Sequence, residues 1–409
     1  RFHAQPNACP QCRPQLELKL AKGEKIGDSN SALGTAIDFL KQGRILALKG
    51  LGGFQLIVDA TNEEGVSLLR IRKGRKSKPF AVMFKDLEAL GEWCEFDSQG
   101  EQLLRSQAAP IVLLRKKKPL AQSVAPNNPY LGAFLPTTPL HHLLLQDFDG
   151  PLVVTSGNLS EDPICIDNDQ ALEVLGEIAD VFLMHNRLVH RHVDDSVVKI
   201  VAGVPMMLRR SRGYAPEPID LGEEVPDSLC VGGHLKNTIA VTKGKQVFLS
   251  QHLGDLSTLD SIQAFEREVE FLTQFYQVRP EWILRDAHPE YFSSLWCQKR
   301  SEPQKSIWHH EAHAYATIAE HKIQSSSLCV SWDGTGYGQD HQVWGGEFYS
   351  FENQKLKRIG SLRPFALLGG EMAAKEPRRV AFSLIMTEFG NLDHLPIENY
   401  SAEERIVFA

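Results

Sequence analysis

Short apolar runs, separated by polar or helix-forming segments, restrict this chain to a mixed fold of strands and helices. Strand-sized runs occupy residues 80–84, 111–114, 152–155 and 197–201. Runs of this length and composition predict strands that are buried on both faces. A helix is predicted after Asp28 and Ser29, which can cap it, and Gly43 can end it. A second helix is predicted from Thr61 to Arg72, and the alternation predicts an α/β fold.

The domain organisation follows from length and from one change in composition. A chain of 409 residues exceeds what one hydrophobic core usually covers, so two or three domains are expected. Residues 214–227 combine three prolines with acidic residues and predict a linker. Beyond it, strands are predicted at 238–242 and 246–250, and another at 344–351. We therefore expect an N-terminal region at 1–24, a first large domain at 25–214, a linker at 215–227 and a second large domain at 228–409.

Composition excludes several classes of protein. Hydrophobic residues make up 42%, charged residues 23%, and the net charge is -7, as in an ordinary globular protein. The longest apolar runs fall far short of the ~20 residues that cross a bilayer, so no membrane association is expected. Five of the seven cysteines are scattered singly, which favours a reducing cytoplasm. The chain begins with Arg1 beside a cysteine pair, so we expect a fragment of a longer protein.

That cysteine pair, Cys9 and Cys12, has the spacing of a zinc knuckle. Two thiolates so placed can bind one zinc ion, which still needs two further ligands. We interpret the pair as half of a structural zinc ribbon rather than a redox pair.

A dense basic cluster suggests a polyphosphate site. Six cations stand within nine residues, and more cations recur in distant segments: Arg70, Arg72, Lys73, Arg75, Lys76, Lys78, Arg187, Arg191, Arg209, Arg210 and Arg212. Such a cluster more often forms a solvated helix face or a nucleic-acid patch. In an acidic chain, cations that converge from separate segments fit a bound triphosphate better.

A small polar turn follows the predicted strand at 152–155. Residues 155–160 read TSGNLS, and a strand that ends in hydroxyl residues and Gly can expose backbone N–H groups to phosphate. The turn is a weak signal alone and a moderately specific one beside the basic cluster. No Walker sequence of the form GxxxxGKS or GxxxxGKT occurs.

Several of these motifs together resemble the YrdC family. They are RIRKGR at 70–75, KPF at 78–80, PTTPLHH at 136–142, TSGNLSEDP at 155–163 and RHVDDSV at 191–197. The resemblance implies that carbamate attacks the α-phosphorus of ATP, giving carbamoyl-adenylate and pyrophosphate. It implies ATP or phosphate contacts for Lys49, Arg72, Lys73, Arg75, Lys78, Ser156, Asn158 and Arg187, with Arg209 as a further cation. Lys73 and Arg75 are the candidate catalytic residues, since cations lower the barrier between two anions.

Asp194 and Asp195 admit two interpretations. The resemblance places them near the adenylate or Mg²⁺, but adjacent aspartates are as often capping or loop-surface groups.

A histidine motif in the second half predicts a metal site. Residues 309–313 read HHEAH, and His309 and His313, four apart on a helix, project from one face. The order differs from the HExxH motif of zinc proteases. An exposed histidine-rich turn is the alternative. Paired histidines with a carboxylate suit zinc and iron alike.

Two Gly-rich motifs lie in the same half. DGTGYG at 333–338 follows a predicted strand, and GGHLKNT at 232–238 reads as a matching hairpin. Together they resemble the TsaD family of carbamoyl transferases, with an actin-like ATPase fold. This resemblance adds Lys236, Gly334 and Gly336 to the candidate nucleotide contacts, and Asp333 as a catalytic residue and third metal ligand.

The order of all these motifs, with DAHPEY at 286–291 and KEPR at 375–378, resembles the HypF family of hydrogenase maturation carbamoyltransferases. The resemblance implies a YrdC-like domain followed by a C-terminally truncated TsaD-like domain. It also implies ATP, Mg²⁺ and zinc or iron as cofactors, carbamoyl phosphate as carbamate source, and the C-terminal cysteine of HypE as acceptor. His234 departs from the family, where an acidic residue is usual. We expect the family's N-terminal acylphosphatase domain to be absent from this chain.

Two other functions remain open at this point. An RNA-binding or tRNA-modifying protein of the threonylcarbamoyladenosine type would use the cations on a phosphate backbone, but the net charge of -7 argues against it, and no nucleic acid is expected. A structural scaffold for hydrogenase assembly is the third possibility.

Overall fold

The computed structural model describes residues 14–159, 162–391, 393–394, 398 and 400–408. Two compact units divide the chain between Ser306 and Ile307. Cys9 and Cys12 lie outside the described residues, so the zinc knuckle stays a prediction. The predicted boundaries after residues 24, 214 and 227 also stay predictions.

A twelve-stranded mixed sheet forms the centre of the first unit, counted over the described residues. Its strands are β1 (Leu16–Leu20), β2 (Lys25–Gly27), β3 (Leu46–Lys49), β4 (Phe54–Asp59), β5 (Ala81–Met83), β6 (Cys94–Glu95), β7 (Ile111–Lys116), β8 (Tyr130–Phe134), β9 (Leu152–Ser156), β10 (Val181–His185), β11 (Val197–Val201) and β12 (Val204–Arg209). Their order is β12-β11-β7-β8-β5-β9-β4-β3-β10-β1-β2, with β6 paired to β7. Parallel pairs join β3 to β10, β5 to β8 and β7 to β11.

Helices cover this sheet on both faces. They are α1 (Ala32–Lys41), α2 (Glu63–Arg72), α3 (Leu87–Trp93), α4 (Ser98–Arg105), α5 (Pro139–Phe148) and α6 (Asn168–Leu175). Successive residues of β3 point to opposite sides: Ala47 packs in the cluster that contains α2, α3, α4 and α6, and Leu46 packs in the cluster of α1 and α5. The strand is therefore buried on both faces, as its apolar run predicts.

A second sheet completes the first unit. Its strands are β13 (Pro218–Asp220), β14 (Ser228–Cys230), β15 (Ala240–Lys243), β16 (Gln246–Leu249), β17 (Trp282–Asp286) and β18 (Gln304–Ile307), in the order β13-β16-β15-β14-β17-β18. Helices α7 (Leu259–Phe275) and α8 (Phe292–Gln298) pack on its core. The predicted linker thus contributes an edge strand, a position where Pro218 is tolerated because an edge leaves backbone groups unpaired.

The second unit contains helix α9 (His309–Glu320), strands β19 (Ser327–Ser331), β20 (Gly336–Tyr337), β21 (Val343–Trp344), β22 (Glu347–Glu352) and β23 (Lys355–Ser361), and helices α10 (Glu371–Lys375), α11 (Pro377–Phe389) and α12 (Ala402–Phe408). Strand β22 pairs antiparallel with β19 and β23. The strand predicted over 344–351 is wrong at its start, because Trp344 belongs to β21 and β22 begins only at Glu347. Gly346, at φ +79, lies between the two strands and allows the chain to turn into β22.

None of the helices in the described part of the chain combines the length and the apolar character that crossing a bilayer requires.

Candidate nucleotide cavity and metal site

A cavity of about 1010 Å³ lies in the first unit. The ends of β4, β7, β9 and β12 form much of its wall, and residues around the β15–β16 hairpin, from Lys236 to Asp255, form another part. It brings together eight of the predicted nucleotide contacts: Arg75, Lys78, Ser156, Asn158, Asp194, Asp195, Arg209 and Lys236. Segments on both sides of the predicted linker therefore share one cavity, at the upper end of the size range of small-molecule sites.

The cations of this cavity repel one another. Burial, together with the positive charges of Arg70 and Arg209, lowers the pKa of Arg75 to about 10. Desolvation also lowers the pKa of Lys78, although this side chain stays partly open to solvent, and the charges of Arg209 and Arg75 act in the same direction. Asp194 opposes this effect and Lys236 adds to it. A bound polyanion would relieve the repulsion, which makes the cavity electrostatically suited to phosphate.

Lys73 stands behind the cavity wall rather than in it. Its buried ammonium donates hydrogen bonds to the carbonyl oxygens of Ser156 at 2.6 Å and Asn158 at 2.8 Å, and to Asn158 Oδ1 at 2.8 Å. All three donors are therefore used within the turn that follows β9. Burial, then the charges of Arg75 and Lys78, lower the pKa of Lys73 to about 7. Lys73 thus holds the turn in its shape from behind, and the turn forms part of the cavity wall.

The turn itself is tightly packed against β4. A Cβ at position 157 would lie 2.7 Å from the carbonyl oxygen of Phe54, so only Gly fits there. The Gly157 N–H donates to that carbonyl at 2.7 Å, so it is already used and does not serve phosphate as the sequence suggested. Ser156 Oγ donates to Asn158 Oδ1 at 2.8 Å, and both residues line the cavity.

The two aspartates have different partners. Asp194 lies 3.5 Å from Arg209. Asp195 pairs with Arg212 at 2.8 Å, and Arg212 also donates to the carbonyl oxygens of Ala108 and Ala109. The carboxylate of Asp195 is thereby committed to a structural network, and Asp194 is the better candidate for a contact with Mg²⁺ or ATP.

Besides Lys73, three predicted nucleotide contacts of the first unit do not line the cavity, and Gly334 and Gly336 lie in the second unit. Lys49 is buried and donates to Asn168 Oδ1 at 2.7 Å. Arg72 pairs with Asp180 at 3.0 Å because the end of α2 packs beside the turn that leads into β10. Arg187 is absent from the lining residues, and its backbone N–H donates to His185 Nδ1 at 3.2 Å.

Three histidines line the cavity without a role predicted from the sequence: His141, His192 and His252. His141 Nε2 lies 2.9 Å from Gln55 Oε1, and burial lowers the pKa of His141 to about 4, which keeps its ring neutral. Its motif, PTTPLHH, was recognised, and Thr138 caps the helix that carries it. His252 also lines the cavity, and burial lowers its pKa while Asp194 opposes the change. No sequence signal links His252 to residues some sixty positions earlier.

The predicted metal ligands converge in the second unit. His309 Nε2 lies 2.6 Å and His313 Nε2 3.4 Å from Asp333 Oδ2, and all the candidate ligand atoms lie within 4.8 Å of one another. The two histidines stand one turn apart at the start of α9, and Asp333 follows β19. Hydrogen bonds from His309 and His313 hold the pKa of Asp333 far below its usual range, against the effect of burial. Two imidazoles and one carboxylate form a donor set that suits zinc or iron.

Close packing fixes the loop that carries Asp333. His310 is buried, and its Nε2 lies 2.8 Å from the Asp333 carbonyl oxygen. A Cβ on Gly336 would lie 2.3 Å from His310 Cε1, and a Cβ on Gly345 would lie 2.7 Å from the Gly334 carbonyl oxygen. These glycines therefore permit close packing, which positions Asp333 beside the two histidine ligands.

Three family models match the chain. The Sua5, YciO and YrdC model, described as telomere recombination, matches residues 38–211. The HypF Kae1-like domain matches residues 223–320. The second subdomain of the carbamoyltransferase Kae1-like domain matches residues 329–407.

Curated relatives agree with these models. The carbamoyltransferase HypF of Synechocystis sp. is 49% identical over 381 residues, which cover 92% of this chain and 50% of the relative. The carbamoyltransferase HypF of Rhodobacter capsulatus is 40% identical over 415 residues, covering 99% and 55%. The chain spans about half the length of the curated relatives it matches.

Solved structures lead to the same family. A crystal structure of full-length HypF in the phosphate- and nucleotide-bound form matches with a TM-score of 0.93 at 40% identity, over 100% of this chain and 54% of that one. The structure of T. kodakarensis HypF matches with a TM-score of 0.88 at 33% identity, over 95% and 52%. The predicted fold class, a YrdC-like domain followed by a TsaD-like or Kae1-like one, is confirmed. The chain belongs to the HypF carbamoyltransferase family.

Proposed function

We propose that this chain catalyses the ATP-dependent activation of carbamate and takes part in carbamoyl transfer during hydrogenase maturation. The observation that carries this proposal is the cavity whose wall brings Arg75, Lys78 and Arg209 together, with six cationic side chains against four aspartates among its lining residues. The names of the relatives and the nucleotide-bound state of one solved relative support it. An RNA-modifying role receives less support, since these cations line a cavity rather than an open face.

In the proposed reaction, a carbamate oxygen attacks the α-phosphorus of ATP, and the bond to the bridging oxygen of pyrophosphate breaks. Both reactants are anions, so the barrier is largely electrostatic. Arg75 and Arg209 would stabilise the charge that develops on the phosphate oxygens, and Lys78 would bind the departing pyrophosphate. Lys73 holds the Ser156 turn in place. Asp194, which lines the cavity beside Arg209, would contact the Mg²⁺ that accompanies ATP.

The second unit would carry out the transfer. A partner thiolate attacks the carbamoyl carbon, the carbon–oxygen bond to AMP breaks, and a thiocarbamate forms. We propose the C-terminal cysteine of HypE as this thiol. His309, His313 and Asp333 would hold a divalent metal, which supplies Lewis-acid polarisation of carbonyl or phosphate oxygens when bound. The Thr335 N–H, in the loop of Gly334 and Gly336, donates to Asp333 Oδ1 at 3.3 Å and helps to keep this aspartate in place.

Exchange of labelled pyrophosphate into ATP tests the first step. Ammonium carbamate supplies the carbamate directly, so no carbamoyl phosphate cleavage is needed. Arg75→Ala should lower the exchange rate by about 100-fold, the usual effect of removing one preorganised donor. Arg105→Ala, which removes an exposed arginine of α4, is the matched control. Equal rates in Arg75→Ala and the wild type would refute the assignment.

Metal analysis tests the second site. The double variant His309→Ala/His313→Ala should lose most of the zinc or iron that the wild type retains, since two of the three donor groups are gone. His321→Ala, at the other end of α9, is the control. Unchanged metal content in the double variant would show that the three residues do not form the metal site.

A further inference from the structure

Arg191 joins the two parts of the first unit. It belongs to the RHVDDSV motif, three residues before Asp194, yet its guanidinium lies against helix α7 beyond the predicted linker. Its Nη1 donates to Glu268 Oε1 at 3.0 Å, and its Cζ lies 3.8 Å from the centroid of the Phe271 ring. The cation is thus held by a carboxylate and by an aromatic face of the same helix.

Glu268 occupies a position that sequence periodicity would give to an apolar residue. It lies on the buried face of α7 together with Phe265 and Leu272, and only 3% of its surface is exposed. A buried carboxylate without a partner is strongly destabilising, so Arg191 is the group that makes Glu268 tolerable. A pair of apolar residues would fill the space of Arg191 and Glu268 without burying a charge. We therefore expect this ion pair to serve a purpose besides stability.

The residues next to Arg191 form the cavity wall. The carbonyl oxygen of His192 accepts a hydrogen bond of 2.6 Å from buried Gln251, and Val193 N–H donates to the Gly52 carbonyl at 3.0 Å. Asp194 then lines the cavity beside Arg209. The segment 191–194 is therefore attached in turn to α7, to the chain after β16 and to the loop before β4.

We propose that Arg191, Glu268 and Phe271 form a latch that positions the Asp194 wall of the cavity for ATP binding. This inference rests on the proposed function, since it assigns these positioning residues to the same cavity. The latch ties the geometry of the nucleotide site to helix α7, which belongs to the Kae1-like region. Arg191 makes its contacts on α7, so it acts through Asp194 and not on ATP itself.

Paired substitutions separate positioning from folding. Arg191→Met leaves the Glu268 carboxylate buried and unpaired, and should lower the melting temperature by about 10 °C. The double variant Arg191→Met/Glu268→Met removes both charges and should regain most of that loss. In both variants the KM for ATP in pyrophosphate exchange should rise by about tenfold, with kcat changed much less. Arg191→Lys keeps the charge but loses the planar stacking on Phe271. Its melting temperature and its KM for ATP should lie between those of the wild type and Arg191→Met.

Lys118→Met/Glu92→Met is the matched control, because Lys118 also lies between a carboxylate, at 3.2 Å, and the Trp93 ring, at 4.0 Å, and none of these residues lines the cavity. A double variant of the latch whose KM returns to the wild-type value together with its stability would overturn the proposal. If the wild type itself shows no exchange, the proposed function fails. The dissociation constant of ATP, measured by calorimetry, then replaces KM and still tests the latch.

Discussion

Lys73 should make the stability of the unliganded protein depend on pH. The pKa of Lys73 is lowered to about 7, chiefly by burial, whereas a lysine in the unfolded chain titrates near its ordinary value of 10.5. Between these two values the unfolded chain holds a proton that the folded protein lacks. The free energy of unfolding therefore rises with pH between about 7 and 10.5, and this gain in stability is lost again as pH falls toward 7. In Lys73→Met this dependence disappears.

The size of the effect follows from the pKa difference. Each pH unit is worth about 1.4 kcal/mol, so the full interval between 10.5 and about 7 corresponds to about 5 kcal/mol. The three oxygen acceptors around the ammonium favour its charged form and reduce that figure. Folded Lys73 is still half protonated at pH 7, so we expect the wild-type free energy of unfolding to gain about 2–3.5 kcal/mol relative to Lys73→Met between pH 7 and pH 10.

Urea denaturation of both proteins at pH 7, 8, 9 and 10, followed by tryptophan fluorescence, measures this difference. Other groups that titrate in the same range cancel in the comparison. Lys76→Met, which removes an exposed lysine from the same loop, shows what loss of a surface charge does. Parallel pH profiles for the wild type and Lys73→Met would refute the reasoning, because they would mean that the buried ammonium keeps its ordinary proton affinity.

Three further substitutions test packing. Gly52→Ala would place a Cβ 2.3 Å from the Val193 carbonyl oxygen, so it should displace the cavity wall and raise the KM for ATP in pyrophosphate exchange, with a loss of about 1–3 kcal/mol in urea unfolding. Gly336→Ala would place a Cβ 2.3 Å from His310 Cε1 and should weaken metal retention, measured by metal analysis after dialysis. Phe182→Ala empties a fully buried position and should cost about 3–5 kcal/mol, measured by urea unfolding.

Local pattern predicted the first sheet well. The apolar runs at 80–84, 111–114, 152–155 and 197–201 correspond to β5, β7, β9 and β11, because a strand buried on both faces has few other possible compositions. The interruption of the strand at 344–351 escaped prediction, since a glycine within an apolar run marks a break only when its φ is known. The edge strand β13 also escaped, because its partner β16 lies beyond two other strands in the sequence.

The candidate site could likewise be predicted only in part from the sequence. The sequence identified Arg75, Lys78, Arg209 and Asp194, and the structure brings them to one cavity. It could not distinguish Arg72 from Arg75 and Lys78, since cations of one short basic segment differ only in the direction of their side chains, and Arg72 points to Asp180. Nor could it find contacts such as Gln251 with His192, which depend on tertiary proximity alone.

The shared wall of the cavity bears on how this protein can be dissected. Cutting after residue 214, where composition suggests a natural border, would remove Lys236, His252 and Asp255 from the pocket and expose the Val193 segment to water. The cut would also remove Glu268, the carboxylate that pairs with Arg191. A recombinant piece that keeps this cavity whole therefore needs to extend at least through helix α7, and a YrdC-sized fragment is a poor reagent for testing the proposed ATP binding.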